Sequence, residues 1–409
     1  MIDCRGDFPF LNQLDAQGRP VAYLDSAATS QKPRQVLDAV RAYYERANAN
    51  PHRGAYDLSV AATAALDAAR ETVRAFLHAS SAREVVFTKN ATEALNFIAQ
   101  SYGMTMLRPG DTVVLAVSEH HSNLVPWQVV ARARGAKLRY LYTDPQGRIP
   151  AREMESKITA GVKIVAVAHA SNVTGVVHPV RTIADRAHDV GAVVVVDGTQ
   201  GAPHLGADVQ AMGADFYVLS GHKMLAPMGV GVLWGKEELL DAMPPFLYGG
   251  DMIEYVEEQN STWAELPQKF EGGTQNVGGA VGLAAAIGYL NALGWDALRD
   301  HERALTAMLL DRLSAVPGLR LVGPEGLADR IGVVSFTLAN AHPHDVATIV
   351  NADGVAIRSG NHCAQPLLKH LGVGATCRAS IGPYNTTDDI ERLAGSLRGV
   401  GRWLGNGVG

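Results

Sequence analysis

At 409 residues the chain is longer than the ~250–300 residues over which one hydrophobic core keeps growing, so two domains are expected, with room to bury a cofactor. Apolar residues at 47%, charged residues at 19% and a formal charge of −5 exclude the basic excess that nucleic acid or anionic lipid selects, and no apolar run approaches the ~18–20 residues of a membrane span. Three cysteines without a CxxC pair fit a reducing compartment, and residues 1–7 hold no leader-like apolar core, so the expected address is the cytoplasm.

Residues 1–22 carry little pattern. After them come, in chain order, a helix over 36–47, a strand over 84–88, a helix over 92–102, strands over 112–117 and 163–168, a helix over 180–190, and strands over 192–196, 216–219 and 230–234. The strand runs are apolar on both faces, which predicts a mostly parallel sheet covered by helices, an α/β arrangement. Past Gly294 the pattern changes to a long helix over 297–315, strands over 319–322 and 333–338, and a helix from Asp345. The expected division is a large α/β domain over 23–293 and a smaller α+β domain made of 1–22 and 294–409.

Polar residues gather at the strand ends. Asn90-Ala91-Thr92-Glu93 opens a helix directly after a strand, with Asn90 as N-cap and Glu93 spaced for a capping box. Such a start offers free N–H groups and a positive dipole end to a phosphate, with the Thr92 hydroxyl beside them. His120, in Glu119-His120-His121, follows the next strand at the edge where open α/β sheets bind ligands, and its flat ring suits stacking on a pyridine. Adjacent histidines point apart in extended chain, so the pair does not predict a metal site. Asn172, Asp197 and Gln200 belong to the same edge. Asp197 ends a run of four valines, where a desolvated carboxylate needs a cationic or donor partner. Lys223, in Ser220-Gly221-His222-Lys223, follows 26 positions later. A strand-end acid with a downstream lysine suits pyridoxal phosphate, the lysine forming the Schiff base and the acid facing the pyridinium nitrogen, while Ser220 and His222 add donors for the phosphate. Cys363 ends the small-residue loop Ser359-Gly360-Asn361-His362-Cys363, with Arg358 and Arg378 nearby. Cations favour its thiolate, and guanidinium forks hold α-carboxylates. Cys4 and Cys377 lack such surroundings and are expected to be bystanders.

Together these motifs resemble those of the SufS-type (group II) cysteine desulfurases of the class V aminotransferase family, pyridoxal-phosphate enzymes of fold type I (aspartate aminotransferase-like). The likeness runs from Tyr23-Leu24-Asp25-Ser26-Ala27-Ala28 through Asn50-Pro51-His52-Arg53-Gly54, Asp197-Gly198-Thr199-Gln200, Gly272-Gly273-Thr274 and Cys377-Arg378-Ala379-Ser380 to Pro383-Tyr384-Asn385-Thr386. It implies removal of sulfur from L-cysteine, leaving L-alanine and a Cys363 persulfide that an acceptor protein takes for iron–sulfur cluster assembly. By position it implies Lys223 as Schiff-base lysine and proton shuttle, Asp197 on the ring nitrogen, Gln200 on the ring hydroxyl and His120 as the stacking, catalytic ring. Thr92, Ser220 and His222 would bind the phosphate, joined by Thr274 from the second subunit of a homodimer. Arg378, with Asn172 beside it, would hold the substrate carboxylate, and Arg358, His52 and Arg53 would complete the substrate side. No metal is implied. His342-Pro343-His344-Asp345 resembles the subgroup served by the zinc protein SufU, which implies His344 as a contact for a SufU-type rather than a SufE-type acceptor; the same residues also read as an ordinary helix start.

Four positions depart from the family: Asn361 where histidine is usual, Ala226 where glycine is, Met228 where threonine is, and Gln275 where proline is. None removes a catalytic group. The competing readings are a selenocysteine lyase or another fold type I enzyme, and a non-catalytic scaffold that has kept the fold. The loop thiol argues against transamination, and the full set of Lys223, Asp197, His120 and Arg378 argues against a decayed site.

Overall fold

The computed structural model describes residues 1–15 and 17–403. Its seven-stranded sheet takes the strands in the order Val85–Thr88, Gly231–Gly235, Phe216–Ser220, Val193–Asp197, Val162–Ala168, Thr112–Ala116 and Lys137–Leu141. Every pairing is parallel except the two made by Gly231–Gly235, so that strand alone runs against the rest. All the apolar runs expected as strands of the large domain are in this sheet. Their period-two alternation sorts side chains into two cores: Val114, Val165, Val194 and Val196 face one, and Val113, Leu115, Ile164 and Val195 the other. Lys137–Leu141 escapes the apolar pattern because it is an edge strand, with Lys137 exposed and Leu141 alone fully buried.

The expected helices form at Arg34–Arg46 and Val180–Asp189, whereas 92–102 divides into an α-helix, Ala91–Ile98, and a π turn, Ala99–Gly103. Val277–Leu293 is a helix that the periodicity does not announce, because its Gly- and Ala-rich sequence is apolar all round. It packs on Arg34–Arg46 and on Asp57–Leu77. Gly282 permits the close approach: a Cβ there would lie 2.7 Å from the Pro227 ring and 2.8 Å from Val40. No single helix among the described residues is long and apolar enough to cross a membrane.

The second sheet is antiparallel, in the order Leu319–Val322, Val333–Leu338, Thr376–Ser380 and Arg358–Gly360. Helices Trp295–Ser314, Pro343–Ala352 and Thr387–Trp403 join it around a separate core that includes Leu309, Phe336, Val346 and Ile390. Ala22–Tyr23 pairs in parallel with Val355–Ala356. Ahead of it, Arg5 ion-pairs with Asp389 at 3.0 Å, and Phe8 packs edge-on against both Tyr289 and Tyr384. The N-terminal segment thus touches helices of both cores.

Candidate active site

The C-terminal ends of the parallel strands converge on a cavity of about 580 Å³, the crest where open α/β sheets bind ligands. It is lined by every residue expected in the site except His52, Arg53, Thr274 and His344. Arg53 is exposed and pairs with Asp251 at 3.1 Å, and the His52 N–H donates to the Thr63 hydroxyl at 2.7 Å. Thr274 lines a separate shallow cleft with Tyr43 and Asn50. His344 is exposed in the first turn of Pro343–Ala352, its N–H donating to His342 Nδ1 at 3.2 Å.

Asp197 forms the cavity floor at the end of its strand, its carboxylate accepting the Thr199 N–H at 3.0 Å. Burial pushes its pKa up, against the lowering by Thr199 and Lys223. Beside it, Thr199 Oγ1 and Gln200 Oε1 are buried without a hydrogen bond, although Gln200 is fixed by donating to the Ala27 carbonyl at 2.8 Å. Gly198 is required here, since a Cβ would lie 2.0 Å from the Tyr217 ring. Lys223 is pushed down to about 8, by burial first and then by Arg378, while Asp197 and Cys363 act the other way. Such an amine is partly neutral, hence nucleophilic, near neutral pH. The carbonyl of His222, one peptide before it, accepts from the Thr29 hydroxyl at 3.1 Å and from the Ser30 hydroxyl and the Lys32 ammonium at 3.0 Å each. The turn that carries Lys223 is therefore fixed from below.

Asn90 caps the helix Ala91–Ile98, accepting the Glu93 N–H at 2.9 Å, but the expected capping box does not form. With Asn90 fully extended (φ −174°, ψ 175°), the Glu93 carboxylate accepts the N–H of Lys89 instead. Ser220 Oγ accepts the Ala91 N–H at 2.9 Å, the Thr92 and Ser122 hydroxyls meet at 2.7 Å, and His222 Nδ1 lies 3.2 Å from the Thr29 hydroxyl. This is a seat of hydroxyls and a helix start suited to a phosphate. Ser122 is a member the sequence reading misses; its signal is its place two residues after His120. His120 is pushed down to about 3 by burial and then by Lys223, so its ring is neutral. Its Nδ1 accepts the Ser122 N–H at 3.1 Å, which puts the ring proton on Nε2. Beneath the turn, the fully buried Glu119 accepts the Ala168 N–H at 2.9 Å and the Asn123 amide at 2.6 Å.

Cys363 is the exposed cysteine, whereas Cys4 and Cys377 are buried and line no part of the cavity. Its loop is strained, with His362 and Cys363 both left-handed at φ 52° and 55°. Contacts from distant elements hold it there. The His121 N–H donates to the Cys363 carbonyl at 2.7 Å, His121 Nε2 accepts the Gln365 N–H at 3.2 Å, and the Asn172 amide donates to the His362 carbonyl at 2.8 Å. Asn361, the departure from the usual histidine, accepts the Cys363 N–H at 3.0 Å. Arg378 is buried, its Nη1 donating to the Asn172 carbonyl at 2.9 Å and its Nε without a partner. Asp25, to which the sequence reading gives no role, binds both Arg358 and Arg378.

The aminotransferase class-V family matches residues 22–393. A probable cysteine desulfurase of Halalkalibacterium halodurans is 49% identical over 399 residues, covering 98% of this chain and 97% of that protein. One of Streptomyces coelicolor is 47% identical over 405 residues, with coverage of 98% and 97%. Among solved structures, the apo cysteine desulfurase of Thermococcus onnurineus NA1 superposes with a TM-score of 0.91 at 40% identity, over 97% of this chain and 96% of that one. The S-sulfonic acid form of the cysteine desulfurase CsdA of Escherichia coli gives 0.89 at 39% identity, over 98% of each.

Proposed function

Since the chain belongs to the class V aminotransferase family and, like the relatives it matches over nearly their whole length, is a cysteine desulfurase, we propose that it moves the sulfur of L-cysteine onto Cys363 and releases L-alanine. What carries this reading is Cys363 itself: an exposed thiol at the mouth of the same cavity whose floor holds Lys223, Asp197 and Arg378.

Pyridoxal phosphate is the cofactor the residues fit. The buried Asp197 carboxylate suits its ring nitrogen, the unpartnered Gln200 Oε1 its ring hydroxyl, the neutral His120 ring its face, and the seat of Thr92, Ser122, Ser220 and His222 its phosphate. Lys223 would tether it. When bound, the cofactor draws electron density from the substrate's α-carbon and so weakens the Cβ–S bond. Arg378, which lines the cavity and whose Nε has no partner, would hold the substrate's carboxylate. The Lys223 amine, with its lowered pKa, takes the α-proton and returns a proton. The Cys363 thiolate attacks the substrate's sulfur: the Cβ–S bond breaks, an S–S bond forms, and one proton passes from thiol to Cβ. L-cysteine and a thiol become L-alanine and a persulfide, without an outside oxidant or reductant.

The exposure of Cys363 supports delivery to an acceptor protein that serves iron–sulfur cluster assembly, and the exposed His344 supports a SufU-type acceptor over a SufE-type one. Thr274, His52 and Arg53, standing outside the cavity of one chain, support a homodimer in which they serve the partner's site. The two sheets with separate cores support two domains, 23–293 and 1–22 with 294–409, and the free thiols support a cytoplasmic setting.

Alanine formation from L-cysteine by the loaded enzyme, with reductant and with SufU-type or SufE-type acceptor, tests the reading. Wild type forms alanine, faster with the SufU-type acceptor, and Cys363→Ser loses the activity by roughly 100-fold or more. A Cys363→Ser enzyme as fast as wild type overturns it.

A further inference from the structure

Asn361 opens a turn that recurs at His120 and at His342. Its carbonyl accepts the Ala364 N–H at 2.9 Å and its side-chain oxygen accepts the Cys363 N–H at 3.0 Å. The His120 carbonyl likewise accepts the Asn123 N–H at 2.8 Å and its Nδ1 the Ser122 N–H at 3.1 Å. At His342 the carbonyl accepts the Asp345 N–H at 2.9 Å and Nδ1 the His344 N–H at 3.2 Å. In each turn one residue receives the N–H groups two and three positions on, and the side-chain acceptor is either an imidazole nitrogen or an amide oxygen.

The two kinds of acceptor differ in their response to protons. An imidazole accepts through Nδ1 only while neutral; once charged, both its nitrogens donate, and Nδ1–H opposes the N–H it had received. An amide oxygen does not titrate. At His120 burial keeps the ring neutral by lowering it to about 3. The cysteine loop lies at the cavity mouth, with Asn361 half-buried and Cys363 exposed, so burial gives no such protection there. The hold matters because His362 and Cys363 are both left-handed, at φ 52° and 55°, which costs free energy at each. His121 and Asn172 clasp the carbonyls of these two residues, and Asn361 holds the Cys363 N–H.

We propose that Asn361 is a positioning residue for sulfur transfer: its amide oxygen fixes the Cys363 backbone through a contact that protonation does not break, so the placement of the thiol does not change with pH. The inference rests on the reading of Cys363 as the residue that receives sulfur. The titratable groups around the loop are Arg358, His362 and Cys363 on its own stretch, Arg378 from the strand Thr376–Ser380, and Asp25, which pairs with both arginines. His120 and His121 face it from the turn after Thr112–Ala116, and Lys223 from the cavity floor. All of these are common to wild type and to variants at 361, so the ratio of variant to wild type at one pH isolates that position. The two guanidiniums would hold an imidazole placed there somewhat below its ordinary value of about 6.5.

Alanine formation from L-cysteine by the loaded enzyme, followed from about pH 5.5 to about pH 8.5 in wild type, Asn361→Ala and Asn361→His, tests the role. Asn361→Ala lowers kcat about fivefold with KM unchanged, by the same factor at every pH, the size of one lost hydrogen bond. Asn361→His stays within about twofold of wild type at about pH 8 and becomes about tenfold slower at about pH 5.5, as the imidazole takes up a proton and turns from acceptor to donor. Hydrogen exchange of the Cys363 amide, weighed by mass spectrometry, reads the same contact without catalysis. Relative to wild type at the same pH, exchange is faster at every pH in Asn361→Ala and faster only at acid pH in Asn361→His. An Asn361→Ala enzyme as fast as wild type, or an Asn361→His enzyme whose ratios to wild type do not change with pH, overturns the proposal. Wild type that forms no alanine overturns the functional reading instead, and the exchange ratios then decide the hold of Asn361 on their own.

Discussion

A carboxylate buried at the end of four valines costs free energy unless something cationic or a good donor meets it. Asp197 has one hydrogen bond, from the Thr199 N–H, and a pKa raised by burial, so its cost to the cofactor-free protein follows directly. Asp197→Asn is therefore expected to leave the denaturation midpoint of the cofactor-free protein unchanged or higher. The affinity for pyridoxal phosphate, read by absorbance titration, falls about tenfold or more as a charged partner is lost. A lower midpoint with unchanged affinity would make Asp197 a structural residue. Asp197, Lys223 and Cys363 are legible in sequence because each stands against an unlike background: an acid after four valines, a lysine in a tight turn, a thiol among small polar residues. Asp25 and Ser122 are not, because their meaning lies in partners, and those of Asp25 are 333 and 353 positions away. Glu271 is similar. It directly precedes the family motif Gly272-Gly273-Thr274, yet only the fold shows it buried, holding Arg70 through both oxygens at 2.7 Å and accepting the Phe87 N–H at 2.7 Å.

Strands are readable where both faces are buried, and helices where only one face is. The strands Val162–Ala168 and Val193–Asp197 carry apolar side chains to both cores, and an apolar run is the consequence. Lys137–Leu141 borders solvent and reads as mixed, and Val277–Leu293 reads as no particular face because helices surround it. The cysteine loop shows the limit best. Its composition marks a turn, but two successive left-handed non-glycine residues are stable only because His121 and Asn172, from the ends of other strands, clasp its carbonyls. That clasp sets where Cys363 stands, and sequence spacing cannot supply it.

At the scale of the molecule, burial of histidines couples stability to pH. Burial lowers His120 and His362 to about 3 and His169, His178 and His222 to about 4. The unfolded chain takes up these protons near the ordinary value of about 6.5, so their contribution to stability is whole above that pH and is lost as pH falls toward about 4. Glu119, raised to about 8 by burial, works the other way: its contribution is whole below its ordinary range and is lost as pH rises toward 8. Asp197, also raised by burial, acts with Glu119, and the five histidines outweigh the two carboxylates. The urea midpoint of the cofactor-free protein is expected to be lower at pH 5 than at pH 7, and an equal or higher midpoint at pH 5 would show that these histidines are not held neutral. Burial also separates the three thiols, pushing Cys4 up to about 11 and Cys377 up to about 12, so both stay protonated while Cys363 faces solvent. Of the three, Cys363 alone is expected to receive the sulfur. The loaded enzyme should be treated with L-cysteine in the absence of acceptor and reductant, and its cysteine peptides weighed by mass spectrometry alongside the alanine released. One additional sulfur atom on the Cys363 peptide for each alanine formed, with none on Cys4 or Cys377, is the predicted result; alanine accumulating while the Cys363 peptide keeps its mass would contradict it.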